Sequence, residues 1–178
     1  MKVTKFIFYK LLGWTIVGDF SPEIKKVVII VVPHTSWHDF YVGVFTRRIL
    51  QTNINWVGKK ELFTWPFSLY FKWMGGASLD RTSGQNKVEA ITEIFNNHEE
   101  FRLTLAPEGT RKKVTSWKTG YYYIAQAAGV PIIPVSFDYS TKTVTINKPF
   151  YPTGDIDADT QVLQAFYKGV IGKKPDYT

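Results

Sequence analysis

Three short stretches carry residue types that can do chemistry. The first is Pro33-His34-Thr35-Ser36-Trp37-His38-Asp39-Phe40. A chain that reverses between His34 and Asp39 brings the carboxylate to one imidazole nitrogen and leaves the other free to take a proton. That is the base-and-orienter pair of acyl transfer. The same residues also read as a helix cap, with Ser36 at the N-cap and Asp39 at the third helical position, and the two uses are compatible. His34 and His38 are four apart, a spacing that can hold a metal on a helix. His34 precedes the predicted helix, however, and the third histidine, His98, falls on a charged helix face. A metal site would therefore need carboxylates to complete it.

The second stretch, Gly75-Gly76-Ala77-Ser78-Leu79-Asp80-Arg81-Thr82, pairs a tight glycine turn with an arginine leaving a strand. Arginine can hold a phosphate through two parallel hydrogen bonds. A surface ion pair with Asp80 is the plainer use of Arg81. The third stretch, Ala106-Pro107-Glu108-Gly109-Thr110-Arg111-Lys112-Lys113, sets a carboxylate, a glycine, a hydroxyl and three cations in a row. It lacks the Gly-x4-Gly-Lys-Ser/Thr spacing of a Walker loop. Anion binding through Thr110, Arg111 and backbone N–H groups is reasonable, as is a solvated basic turn. Lys118 adds a cation just beyond this stretch, and Lys59 and Lys60 add two more earlier in the chain.

The elements that must position these loops can be read from periodicity. Val27–Val32 is a continuous β-branched run, as expected of a strand buried on both faces. Trp37–Leu50 follows as a helix with Val42, Phe45 and Ile49 on one stripe. Ile54–Val57 and Ala77–Leu79 read as short strands around an aromatic segment, Leu62–Trp73. Gln85–Glu100 reads as a helix, Leu103–Ala106 as a strand, and Trp117–Ala128 as a helix stopped by Gly129. Ile132–Phe137 is another buried strand, Val144 and Ile146 alternate in a shorter one, and Val162–Val170 reads as a closing helix. Strands alternating with helices predict an α/β fold: a single domain over residues 1–178 with a central, largely parallel mixed sheet flanked by helices. Sites in such sheets lie beyond the carboxyl ends of the strands. That rule directs attention to the loops after Val32, Leu79 and Ala106.

Composition narrows the partners. Lys+Arg 22 against Asp+Glu 15 gives a net charge of +7, and five of the six tryptophans precede residue 75. The surplus suits an anionic partner: nucleic acid, anionic lipid or a phosphorylated small molecule. The absence of cysteine excludes disulfides, thiolate zinc sites and a cysteine nucleophile. The longest uncharged stretch, Thr119–Phe137, contains Gly120, Gly129, Pro131 and Pro134, so it reads as a helix, a turn and a strand rather than a membrane span. No signal peptide is expected, because Lys10 breaks the apolar run of the first twenty residues. Residues 1–20 read either as a helix lying on a membrane surface or as an element packed on the body.

Taken together, the blocks His34…Asp39, Gly76…Arg81, Pro107–Arg111 and Val130-Pro131-Ile132-Ile133-Pro134-Val135 give the chain its resemblance to a known family. It resembles the glycerolipid acyltransferase family that includes the 1-acylglycerol-3-phosphate acyltransferases. Val57-Gly58-Lys59-Lys60-Glu61-Leu62 and Trp117-Lys118-Thr119-Gly120 support the likeness, which runs from about Val28 to at least Tyr151. There are departures. Pro33-His34-Thr35-Ser36 stands where the family often has Asn-His-Gln-Ser, and Lys112 stands where serine commonly follows the arginine. They put the acyl acceptor in doubt, not the reaction class.

The resemblance implies a glycerol-3-phosphate acyltransferase-like fold. It also implies transfer of a fatty acyl group from acyl-CoA or acyl-carrier protein to a hydroxyl of a lysoglycerophospholipid-type acceptor, with no metal or prosthetic group. By likeness His34 is the general base and Asp39 its orienter. Arg81 holds the acceptor phosphate with Thr110 and Arg111, and with Lys59 or Lys60 less firmly; Glu108 and Gly109 shape the acceptor pocket. The aromatic segment Leu62–Trp73 is a candidate wall for the acyl chain, or ordinary core. The expected setting is cytoplasmic, at an anionic membrane surface, with no nucleic-acid module in sight. The alternatives are an acyltransferase for an aminoacyl lipid or glycolipid, a hydrolase with metal on His34, His38, Asp39 and Glu108, or a non-enzymatic binder of anionic membranes.

Overall fold

A computed structural model describes residues 2–59, 63–66, 68–79 and 87–178. Its frame is a seven-stranded sheet in the order β1-β7-β6-β2-β5-β3-β4. The strands are β1 (Thr15–Val17), β2 (Lys26–Val32), β3 (Asn55–Lys59), β4 (Gly76–Leu79), β5 (Phe101–Leu105), β6 (Ile132–Asp138) and β7 (Thr143–Ile146). The five strands from β6 to β4 run parallel. β7 is antiparallel to β6, and β1 pairs parallel with β7. The expected α/β fold with a largely parallel mixed sheet is therefore borne out.

β2 shows why the β-branched run had to be central. Val28, Ile30 and Val32 point to one face of the sheet, into a core with Ile91, Phe95, Tyr122 and Leu163. Val27 and Ile29 point to the other, into a core with Phe8, Trp14, Val42 and Phe137. Successive side chains of a strand alternate between faces, so a strand covered on both must be apolar throughout. The helices are α1 (Lys2–Phe6), α2 (His38–Leu50), α3 (Ser68–Trp73), α4 (Lys87–Asn96), α5 (Gly120–Ala128) and α6 (Ile156–Ala165). α4, α5 and α6 contribute to the first core, while α2 and the N-terminal segment contribute to the second.

Three readings of the sequence change. The first twenty residues do not form one helix. α1 continues as a single π-helical stretch, Ile7–Leu11, and the chain then enters the sheet as β1. Phe8 and Trp14 are buried while Val3, Phe6, Leu11 and Leu12 remain exposed, so the segment is packed on the body along one side only. The closing helix is Ile156–Ala165 rather than Val162–Val170. Asp155 caps it by accepting from the Ala158 N–H at 3.1 Å, which fixes its start six residues early. The fifth helix starts at Gly120 rather than Trp117, because Lys118 N–H is committed to the Pro107 carbonyl at 2.8 Å.

Candidate active site

Three neighbouring parallel strands, β6, β2 and β5, end at the same edge of the sheet and each leads into one residue of the candidate site. β2 ends at Val32 and is followed by Pro33 and His34. His34 Nδ1 lies 2.9 Å from Asp39 Oδ2 at the start of α2. The imidazole is about one quarter exposed and the carboxylate is buried. With Nδ1 committed, Nε2 is the nitrogen free to meet a substrate. The capping reading changes in register: α2 begins at His38 with Trp37 at its N-cap, so Asp39 is the second helical residue, yet its Oδ2 still accepts from Ser36 N–H at 3.0 Å.

A buried carboxylate requires donors on both oxygens. The partner of Asp39 Oδ1 is Tyr139, just beyond β6, whose hydroxyl donates to it at 2.7 Å. Burial, followed by the Asp39 carboxylate, holds the Tyr139 phenol far above its ordinary range, so it stays a donor at any working pH. Tyr139 was not among the residues singled out from sequence. The rule that sites lie beyond strand carboxyl ends applies to Ile132–Phe137 as well, and would have pointed to it.

β5 delivers the third residue. Glu108 Oε2 accepts from the backbone N–H of His34 at 2.7 Å. The side chain is almost fully buried, and burial raises its carboxyl above the usual range despite the His34 N–H and imidazole, with Asp39 pushing the same way as burial. Glu108 thus braces the histidine loop. Its own loop is closed tightly: Gly109 has φ +65°, its N–H donates to the Ala106 carbonyl, and a Cβ there would stand 2.8 Å from the Lys118 stem. Thr110 and Arg111 are exposed, and Arg111 reaches the rim of the cavity described next.

That cavity, about 420 Å³, opens at His34, Asp39 and Arg111 and runs between the sheet and α2. Its walls are mainly apolar, among them Phe20, Ile29, Val44, Trp56, Phe71 and Met74. The α2 residues on it extend from Asp39 past Gly43 to Arg47, eight positions or about 12 Å of helix. Arg47 donates to the Met74 carbonyl at 2.6 Å, and burial lowers its pKa. Gly43 keeps the passage open, since a Cβ there would meet only Phe137, at 3.8 Å.

The expected aromatic wall Leu62–Trp73 is mostly elsewhere. Leu62 and Phe67 lie outside the described residues, and among the segment's described residues only Phe71 lines the cavity. Trp65, ahead of α3, is exposed, and so are Tyr70 and Trp73, because α3 turns one stripe toward the sheet and the rest to solvent. Arg81 and Lys60 also lie outside the described residues, and Lys59 is the last residue of β3. β3 and β4 are parallel to β5, so both end at the edge where His34 and Glu108 emerge. Among the described residues no group of three or more His, Asp or Glu is placed to hold a metal. His38 instead stacks on Trp37 at 4.0 Å and shares a hydrogen bond with Ser36 Oγ.

A parallel sheet that presents a carboxylate-held histidine at the mouth of an apolar cavity has a counterpart among known families. The chain belongs to the acyltransferase family: the family profile described as Acyltransferase matches residues 15–138, from β1 to the end of β6. Among individual relatives, it is 32% identical over 126 residues to the 1-acyl-sn-glycerol-3-phosphate acyltransferase of Escherichia coli (strain K12), covering 67% of this chain and 50% of that one. The enzyme of the same name from Haemophilus influenzae is 32% identical over 148 residues, covering 79% and 60%. The chain thus spans a half to three fifths of the length of these relatives. The crystal structure of the 1-acyl-sn-glycerophosphate acyltransferase PlsC from Thermotoga maritima shares the fold, with a TM-score of 0.64, 23% identity, and coverage of 95% of this chain and 76% of that one.

Proposed function

We propose that residues 1–178 form one acyltransferase domain that moves a fatty acyl group from a thioester of coenzyme A or acyl-carrier protein to the hydroxyl of a lysophospholipid-type acceptor. The observation that carries this reading is the His34–Asp39 pair, 2.9 Å apart, at the mouth of an apolar cavity in an acyltransferase-family fold. His34 Nε2 takes the acceptor's hydroxyl proton as the oxygen attacks the thioester carbonyl. Asp39 holds the ring and balances the imidazolium. The C–S bond then breaks, and the departing sulfur takes the proton back from His34. General-base help of this kind contributes roughly 10²–10⁴ in rate. The acyl chain occupies the cavity along α2.

The acceptor's phosphate meets Arg81 and Arg111 with Thr110, and Lys59 or Lys60 assists less firmly. Glu108 and Gly109 set the position of that loop. The reading needs no metal or prosthetic group. The outer surface supports membrane association. Val3, Phe6, Leu11, Leu12, Trp37, Phe40 and Tyr41 are all exposed, beside Lys2, Lys5 and Lys10. No helix among the described residues is long and apolar enough to cross a membrane, and peripheral binding at the cytoplasmic face of an anionic bilayer is the proposed setting.

The test is thiol release from acyl-CoA across a panel of acceptors. The chain has no cysteine, so a thiol reagent reads only the product. Release that depends on a lysophospholipid and vanishes in a folded His34→Ala protein is the expected result. Full activity of that variant would sink the mechanism. Arg81→Ala raises the KM for a phosphorylated acceptor, and an unchanged KM would mean that the phosphate is held elsewhere. Flotation with anionic vesicles checks the membrane reading.

A further inference from the structure

α2 separates two cavities. Asp39, Phe40, Gly43, Val44, Thr46 and Arg47 line the one already described. His38, Tyr41, Val42 and Phe45 line a second, of about 890 Å³, enclosed on its other sides by the N-terminal segment and by residues 139–142 and 171–175. The two share no lining residue. The floor of the second is apolar: Phe8, Trp14 and Val42 are buried there, and Phe8 stacks on Trp14 and Phe45. Its rim carries exposed Leu12, Trp37 and Tyr41, which make it continuous with the apolar outer surface.

The charge on this groove has one sign. Lys142 and Lys173 line it, and its lining includes no Asp or Glu. Lys142 Nζ spends one hydrogen bond on the Leu12 carbonyl at 3.0 Å, and Lys173 Nζ lies 5.6 Å from the Tyr139 ring centroid. Among the described residues neither pairs with a carboxylate. Asp138, the carboxylate nearest Lys142 in sequence, is engaged by Ser140, Thr141 and the Ile171 N–H, and Asp176, three residues from Lys173, does not line the groove. An apolar trough with ammonium groups on its wall and an open apolar rim complements a molecule with one hydrocarbon chain and an anionic head.

We propose that this groove is a second binding site, separate from the acyl cavity, for a single-chain lipid anion drawn from the bilayer. The chain lies on Phe8, Trp14, Val42 and Phe45, and the anionic head sits between Lys142 and Lys173. Binding here does not depend on the acyl-transfer reading, and the test does not involve turnover.

Trp14 and Trp37 line the groove and serve as reporters. The probe is nitroxide-labelled stearate, with its neutral methyl ester as control, titrated against the full chain. Saturable quenching of tryptophan fluorescence is expected, mostly lost in the Trp14→Phe/Trp37→Phe protein. Lys142→Glu/Lys173→Glu weakens stearate binding tenfold or more, which corresponds to about 1.4 kcal/mol, and leaves the ester unchanged. Gly43→Phe, which fills the other cavity, leaves the quenching in place. Equal binding of acid and ester, indifference to the two lysines, or loss of the signal in Gly43→Phe would each overturn the proposal. Val42→Trp, which narrows the groove from α2, gives an independent check: undiminished stearate binding there would count against it.

Discussion

Replacing Tyr139 with phenylalanine removes a single oxygen, and its effect can be worked out from the site. The Asp39 carboxylate is 3% exposed and receives three donors: His34 Nδ1 and Ser36 N–H on Oδ2, and the Tyr139 hydroxyl on Oδ1. The substitution leaves Oδ1 without its donor. A hydrogen bond to a charged group contributes roughly 1.5–3 kcal/mol. For a chain of this length, about 2–4 °C in melting temperature accompanies each kcal/mol, so the variant should melt roughly 3–12 °C lower. The ring still packs edge-on against Trp14 at 4.9 Å, so the loss comes from the hydroxyl. If the bond also keeps Asp39 aimed at His34 in the transition state, kcat falls by about tenfold to a hundredfold, at about 1.4 kcal/mol per decade. KM stays near its original value, because Tyr139 holds the carboxylate and not a substrate. The assay is thiol release, run on Tyr139→Phe, on Asp39→Asn and on the double variant. In the Asp39→Asn background the tyrosine change should cost little more, which is the signature of one shared interaction. A Tyr139→Phe protein with an unchanged melting point and kcat within about twofold would refute this account of the carboxylate. So would additive losses in the double variant.

Other consequences of the geometry can be checked alongside. Gly43→Ala removes a flexible residue from a helix interior with room for the methyl group, and should stabilise the fold by about 0.5–1 kcal/mol in a denaturant titration. Gly43→Phe should reject long acyl donors while still accepting short ones. Glu108→Gln keeps an acceptor for His34 N–H and should remain active, whereas Glu108→Ala should lose kcat by releasing the loop. Glu108 titrates higher folded than unfolded, so its contribution to stability is greatest in acid. It declines as pH rises from the unfolded carboxyl range through the raised folded value, and Glu108→Gln should remove that decline. Asp159 behaves oppositely. Burial pushes its carboxyl up, but donors from Thr153 and Tyr122 outweigh burial and lower it. Its stabilisation is present above the unfolded carboxyl range and is lost as pH falls through the depressed folded value. Asp159→Asn should therefore melt lower at neutral pH and show a shallower acid limb.

What could be read from the sequence was what is local or bounded by strong periodicity. The β-branched run of β2, the Gly129 stop of α5 and the His34-to-Asp39 spacing each announce themselves within a few residues. The parallel sheet followed from their alternation. The closing helix was misplaced because Val162, Phe166 and Val170 mimic an apolar stripe, while the real start depends on Asp155 as a cap. The role of Glu108 as a brace was not legible, since it depends on the His34 N–H 74 residues earlier in the chain. Tyr139 reaches Asp39 across 100 residues, a contact that exists only once β6 has paired with β2. The division of α2 between two cavities was equally hidden, because both of its sides mix apolar and polar residues and only the surrounding elements decide what each one faces.

The order of strands has a cost during synthesis. β2 pairs with β5 and β6, whose residues are made roughly 70 and 100 positions later. At about 5–20 residues per second of translation, the strand leading into His34 waits about 4–15 s for one edge to be covered and about 5–20 s for the other. Until then, Lys26–Val32 is a flat, β-branched segment with both hydrogen-bonding edges open, the kind of template that recruits a neighbouring chain. The feature that places the histidine at the centre of the finished sheet thus makes its strand the main aggregation hazard of the unfinished one. Slowed synthesis beyond residue 32 should lower the yield of soluble protein more than slowing it beyond residue 138.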